Sequence, residues 1–112
     1  MAVVTYVPNV DAVLTNSSAA YFTAGTGQQF IILKCSVTNT DTLPRRVTFY
    51  RAPPAGGVAS AIIMGADNLD VPPLATVVIP ISGQTLSSGQ ALQALASVGS
   101  VVNLSVSLAQ VN

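Results

Sequence analysis

The sequence predicts an all-β protein, folded as a single antiparallel two-sheet β-sandwich with about eight strands. Apolar and polar residues alternate with a period of two along most of the 112 residues, as in half-buried strands. Clusters of Gly, Pro, Asn, Asp and Ser interrupt this alternation at short intervals, and no segment shows the apolar stripe of a helix. The topology is either a jelly roll or an immunoglobulin-like sandwich, but not the antibody type, since the chain has one Cys and no Trp.

Nine segments are candidate strands, and they lie near residues 2–7, 12–15, 19–23, 28–39, 45–52, 60–64, 74–81, 90–97 and 100–111. The last segment alternates most clearly, with one apolar face made of Val102, Leu104, Val106 and Leu108. In the segment 28–39, the residues expected to face the core are Ile31, Leu33, Cys35 and Val37. The segment Gln90–Ala96 contains helix-favouring residues, but Gly89 and Gly99 leave little length for a stable helix, so a strand is predicted.

The first 18 residues differ from the sandwich domain expected over residues 19–112. They begin with an apolar stretch and end in a polar one. This segment is either the first strand of the sandwich or an arm that adds to the sheet edge of a neighbouring subunit. In the second case its interface residues would be Val3, Val4, Tyr6 and Val7.

Charged residues are scarce: four Asp, one Lys and three Arg, with no Glu and no His, for a net charge of zero. An ordinary domain is about a quarter charged. A neutral surface of this kind lacks electrostatic repulsion between copies, which favours association. No basic run indicates a nucleic-acid partner, and no apolar run is long enough to span a membrane.

The missing residue types also exclude most catalysis, so the chain is not expected to be an enzyme or to hold a cofactor or metal. Without His, no Ser-His-Asp or Cys-His arrangement exists, and one Cys cannot build a zinc site. The four Asp are predicted in loops, as turn caps. The stretch Asp67–Asp70 carries the oxygen ligands that calcium prefers, but a capped turn is the favoured interpretation. Cys35 is predicted to be a buried, unreactive thiol.

Three of the four cations fall within seven residues, beside a tyrosine. This cluster, made of Arg45, Arg46, Tyr50 and Arg51, is a candidate protein interface, because interfaces are enriched in Arg and Tyr. The outward face of the strand would show Arg46, Thr48 and Tyr50. The alternative is a solvated strand flank with a pairing to Asp41.

Four stretches together resemble the small β-sandwich virion proteins of tailed bacteriophages. They are Ser36–Thr40, Arg46–Arg51 with the Pro/Gly loop after it, Leu86–Ser97 and Val101–Leu108, and the likeness runs from about Tyr21 to Val111. The resemblance implies a structural protein of the virion, such as a capsid cement or decoration subunit or an accessory neck or tail subunit. It also implies a homo-oligomer, with a trimer favoured, that contacts other virion proteins such as the major capsid protein. The location would be the virion, assembled in the cytoplasm of the bacterial host.

Two other functions remain open. One is a receptor-binding module of a tail or fibre that recognises a glycan, for which Tyr50, Tyr21 and Tyr6 are the plausible aromatic platforms. The other is an assembly factor that is absent from the mature particle. The residues themselves do not separate these from a structural subunit.

Overall fold

The computed structural model describes residues 4–6, 8–54, 62–64 and 67–111. These residues form eleven strands and no helix. The strands are β1 (Val4–Tyr6), β2 (Asn9–Val13), β3 (Ala19–Thr23), β4 (Phe30–Asn39), β5 (Arg45–Ala52), β6 (Ile62–Ile63), β7 (Leu69–Val71), β8 (Thr76–Val78), β9 (Thr85–Leu86), β10 (Ala91–Ala96) and β11 (Val102–Val111). The described part of the chain has no helix long and apolar enough to cross a membrane.

The strands form two antiparallel sheets, and the predicted all-β sandwich is confirmed. The first sheet has β11 and β4 at its centre, with β1 and β2 beside β11 and with β8 and β9 beside β4. The second sheet has the order β3, β10, β5, with β6 and β7 sharing the far edge. Three pairs of short strands, β1 with β2, β8 with β9 and β6 with β7, each lie end to end along one edge of a sheet. The eleven strands therefore occupy eight positions in the two sheets.

The pairing is nested, which distinguishes between the two predicted topologies. β2 pairs with β11, β3 with β10, β4 with β8 and β9, and β5 with β6 and β7. Outer strands of the sequence therefore pair with each other, and the pairs alternate between the two sheets. This is the winding of a jelly roll.

The core lies between the sheets and is built by alternate residues of each strand. On β11 the predicted apolar face is buried, with Val102 and Leu108 fully inaccessible. The second sheet contributes Val47 and Phe49 from β5, and the small side chains of β10 leave room for them. Near one end, the rings of Phe22 and Phe30 meet edge to face, with centroids 4.7 Å apart.

A β-bulge in β4 changes which residues of that strand face the core. Ser107 of β11 lies opposite Lys34 and Leu108 lies opposite Ile32, so Leu33 is an extra residue without an opposite partner. An extra residue reverses the alternation on either side of it. Cys35 and Val37 are buried as predicted, but the prediction for Leu33 was wrong, because its side chain is 46% exposed. Ile32 faces the core instead of Ile31, which is half-buried.

The buried thiol gives a test of the core. Burial raises the pKa of Cys35 to about 12. A thiol-reactive reagent at pH 8 should therefore leave the folded chain unlabelled and label it only as urea unfolds it. Because the unfolded thiol ionises first, the free energy of unfolding should also fall as the pH rises from about 9 towards 12. A Cys35→Ala variant should lack this part of the pH dependence. Rapid labelling of the folded protein would contradict the buried position.

Candidate interaction surfaces

The N-terminal strands complete the first sheet of their own chain. In β1, Val4 lies opposite Val111, and β2 pairs along the middle of β11. Val3 and Val7 lie outside the described residues, and β1 is described by its backbone alone. An inter-subunit role for Val3, Val4, Tyr6 and Val7 therefore stays a prediction.

The predicted Arg/Tyr cluster does not form one patch, because neighbouring residues of β5 point to opposite faces. Arg45 lies opposite Val71, and Arg51 lies opposite Leu92; both partners are fully buried, so these two arginines leave the strand on its core side. They also lie at the two ends of the strand, roughly 20 Å apart. Arg45 pairs with Asp41, as the alternative interpretation predicted.

Arg46 and Tyr50 lie on the outer face of the second sheet, as predicted. Arg46 is exposed, and its guanidinium donates to the backbone carbonyl of Asn68 at 3.2 Å. Between them, Thr48 points outward too but is only 4% exposed. The turn before β7 covers it, and the Asn68 N–H donates to its hydroxyl at 3.0 Å. The two interface candidates on this face are therefore separated by a covered residue.

Two of the three tyrosines named as aromatic platforms have described side chains, and neither is fully exposed. Tyr21 packs against the core, and its hydroxyl is buried with no hydrogen-bond partner among the described residues. Tyr50 is half-buried on the outer face of the second sheet. The Tyr6 side chain lies outside the described residues.

Two of the four Asp were wrongly placed in loops. Asp11 lies within β2, and Asp70 lies within β7. In the turn before β7, Asn68 has a positive φ of 51°. The described residues contain no group of three or more His, Cys, Asp or Glu side chains that could hold a metal ion.

The structure brings together two loops that are far apart in the sequence and that both expose apolar side chains. One loop joins β4 to β5 and the other joins β7 to β8. Their exposed apolar residues form a surface that we call the tip: Leu43, Pro44, Pro72, Pro73 and Leu74. Leu43 is 56% exposed and Leu74 is 69% exposed, the latter the highest value among the large hydrophobic side chains whose burial is described.

The side chain of Asn39, fully buried at the end of β4, holds the two loops of the tip together. Its Nδ2 donates to the carbonyl of Leu43 at 2.9 Å on one loop. On the other side it donates to the carbonyls of Val71 at 3.1 Å and Pro72 at 3.3 Å. Its Oδ1 accepts from the Asp41 N–H at 2.9 Å. One amide thus joins β7 to the β4–β5 loop.

The charges next to the tip neutralise each other. The Asp41 carboxylate accepts from Nε of Arg45 at 3.0 Å and from the Thr42 N–H at 2.7 Å. The hydrogen bond from Arg45 is the main cause that lowers the pKa of Asp41, so the carboxylate stays ionised beside its partner. The tip itself contains no charged residue, and the ion pair beside it adds no net charge.

Leu74 combines two unfavourable features. Its φ is +55°, in the left-handed region that Gly and Asn adopt more easily than Leu. Its side chain is also the large apolar group most exposed to water in this part of the fold. The backbone is fixed there, since the Leu74 N–H donates to the carbonyl of Asp41 at 3.2 Å. Neither feature helps the isolated chain to fold.

The tip was not among the surfaces predicted from the sequence. The one local signal was the occurrence of Leu beside Pro in two separate turns, at 43–44 and 72–74. Their convergence depends on the jelly-roll winding, which places the β4–β5 and β7–β8 loops at the same end of the sandwich.

Comparisons with known proteins add little to this geometry. No protein-family model matches the chain, and no curated protein matches it. Among solved structures, the chain is similar to one described as the structure of infectious bursal disease virus Gx strain, with 16% identity and a TM-score of 0.44. The match covers 96% of this chain and 32% of that one, so this chain spans about a third of the other's length. Similarity at this level carries no argument about function.

Proposed function

We propose that this protein is a structural subunit of a virion, acting as a capsid cement or decoration subunit that stabilises the particle through contacts between subunits. The observation that carries the proposal is the tip, where Leu74 is both exposed and held at a positive φ. The jelly roll supplies a rigid block, and the tip supplies an uncharged apolar contact at one end of it. The resemblance to tailed-phage virion proteins supports the virion as the setting.

The energetics favour this interpretation over a solvated loop. A polar residue or Gly at position 74 would suit both the backbone conformation and the contact with water. Burying a leucine side chain against another protein is favourable by about 1.5–3 kcal/mol, which is enough to offset the cost of the left-handed backbone. Leu74 is therefore better suited to an assembled state than to a free chain.

The test replaces Leu74 with Asn, which tolerates positive φ and is polar. We expect Leu74→Asn to keep or raise the thermal stability of the isolated chain and to weaken its association by about tenfold or more. Ser100→Asn is the matched control, since Ser100 is exposed with a φ of 70° but carries no apolar side chain. It should leave association unchanged. Sedimentation velocity measures association, and circular dichroism measures the melting temperature.

Two results would overturn the proposal. One is an unchanged association of Leu74→Asn, and the other is a loss of fold stability that accounts for any loss of association. The virion setting has its own test, because mass spectrometry should detect the chain in purified particles and not merely in infected cells.

A further inference from the structure

We propose that the outer face of the first sheet is a two-fold interface between two copies of this chain, in which Asp11 of each copy faces Lys34 of the partner subunit. The inference rests on the proposed function, because it names a second copy of this chain as the partner at one surface of the proposed structural subunit. It concerns a different surface from the tip. Its evidence is the pair of opposite charges on that face and the small side chains around them.

The side chains of this face follow from the register of the sheet. One row across the strands is Asn9, Ser107 and Lys34; the next is Asp11, Ser105, Ser36 and Val78; the third is Val13, Asn103, Thr38 and Thr76. Most of these are small Ser, Thr or Asn side chains. Side chains of this size let another sheet approach the face closely.

The face carries one charge of each sign. Asp11 and Lys34 are the only charged residues in the sequences of all six strands of the sheet. Both are exposed, and neither has a hydrogen-bond or ion-pair partner in the described part of the chain. They lie two strands apart and one row apart, a Cα separation of roughly 12 Å, and both side chains project away from the sheet rather than towards each other. In the described part of the chain, water is their only partner, so both are free to pair with a group of another molecule.

A two-fold axis that runs along β11, between two such faces, supplies that group. It places β4 of one copy over β2 of the other. Asp11 of each copy then comes into reach of Lys34 of the partner subunit, so the same pair forms twice, once on each side of the axis. It also brings Val78 of each copy towards the edge of the other at Val13. These two valines are 61% and 50% exposed.

A shallow depression lies in the middle of this face. Above β11 lies a depression of about 370 Å³ whose lining includes Asp11, Val13, Thr38, Asn103 and Ser105. The depression forms because Ser105 and Asn103 have short side chains, while Val13 and Val78 project further from the sheet at its two edges.

Charge reversal tests the proposal. Asp11→Lys alone and Lys34→Asp alone should each fold normally and should each weaken self-association by about tenfold or more, because like charges then face each other twice. An equimolar mixture of the two variants should form a heterodimer, since both facing pairs become complementary again. Native mass spectrometry distinguishes the heterodimer from the two homodimers.

The control mixture combines Lys34→Asp with Asp70→Lys. Asp70 is exposed on a strand of the second sheet, so the two chains carry the same net charges as in the test mixture but do not complement each other on the proposed face. This mixture should not regain pairing. The proposal is overturned if single reversals associate as the wild type does, or if both mixtures behave alike. If the wild type associates and responds to Leu74→Asn, only this inference fails; a wild type that never associates overturns the proposed function as well.

Discussion

Replacing Asn39 with Ala is expected to destabilise the fold by about 3–4 kcal/mol. The substitution removes four hydrogen bonds of a fully buried amide. The carbonyls of Leu43, Val71 and Pro72 lose this donor, and the Asp41 N–H loses its acceptor. A buried polar group that loses its partner contributes a penalty of about 1–3 kcal/mol, and bonds in one network reinforce each other. Urea unfolding followed by circular dichroism measures the loss.

The neighbouring residue gives a matched control. Thr40 also donates from its side chain to a carbonyl, that of Val101, at 2.7 Å, but this bond is exposed to water. Thr40→Ala should therefore cost less than about 1 kcal/mol. Similar losses for the two variants would contradict the role of Asn39 as the buried link between the loops. Asn39→Ala should also weaken association, since it releases the loops that present Leu43 and Leu74.

Phe49→Ala is expected to be comparably severe, at about 3–5 kcal/mol. The ring is fully buried between the sheets, and the residue opposite it on β10 is the small Ala94. Loss of a buried phenylalanine combines a lost transfer free energy with the cost of the cavity. The same urea titration measures it.

Tyr50→Ala serves as the comparison for Phe49→Ala. The two aromatic residues are adjacent on β5 and point to opposite faces, and Tyr50 is only half-buried. We expect a loss of about 1 kcal/mol from Tyr50→Ala, since a partly exposed side chain leaves no closed cavity. Equal losses would contradict the assignment of the two faces of the strand. A folded Tyr50→Ala variant also allows the glycan alternative to be assayed.

Strand alternation made the class of fold predictable, because a two-residue period leaves one apolar face per strand wherever the strand is regular. Segments 19–23 and 45–52 were placed correctly at both ends. The second strand was shifted, since β2 spans Asn9–Val13 rather than 12–15. β7 and β9 were not predicted, because these strands of three and two residues lie between turn-forming Pro, Gly, Asn and Ser residues that interrupt the alternation. The jelly-roll winding itself depends on long-range pairing that no local pattern shows.

The candidate surfaces were less predictable than the fold, for two physical reasons. The β4 bulge moved Leu33 out of the core, and the reversal of phase is invisible in a run of consecutive apolar residues. The tip and the outer face of the first sheet each combine residues from distant segments, as Asn39 shows by bonding to Val71. Composition nevertheless indicated their character, because a chain with eight charges can build large surfaces that carry almost none.

If the sandwich is a subunit made to associate, the mass of the wild-type chain in solution should exceed that of one chain. Sedimentation equilibrium over a wide range of concentrations should show an average mass that rises well above the 11.4 kDa of one chain. A trimer is the oligomer favoured in the sequence-based prediction, and the proposed two-fold interface would join two copies through a separate surface. A single species of 11.4 kDa at every concentration, unchanged in Leu74→Asn, would contradict the account.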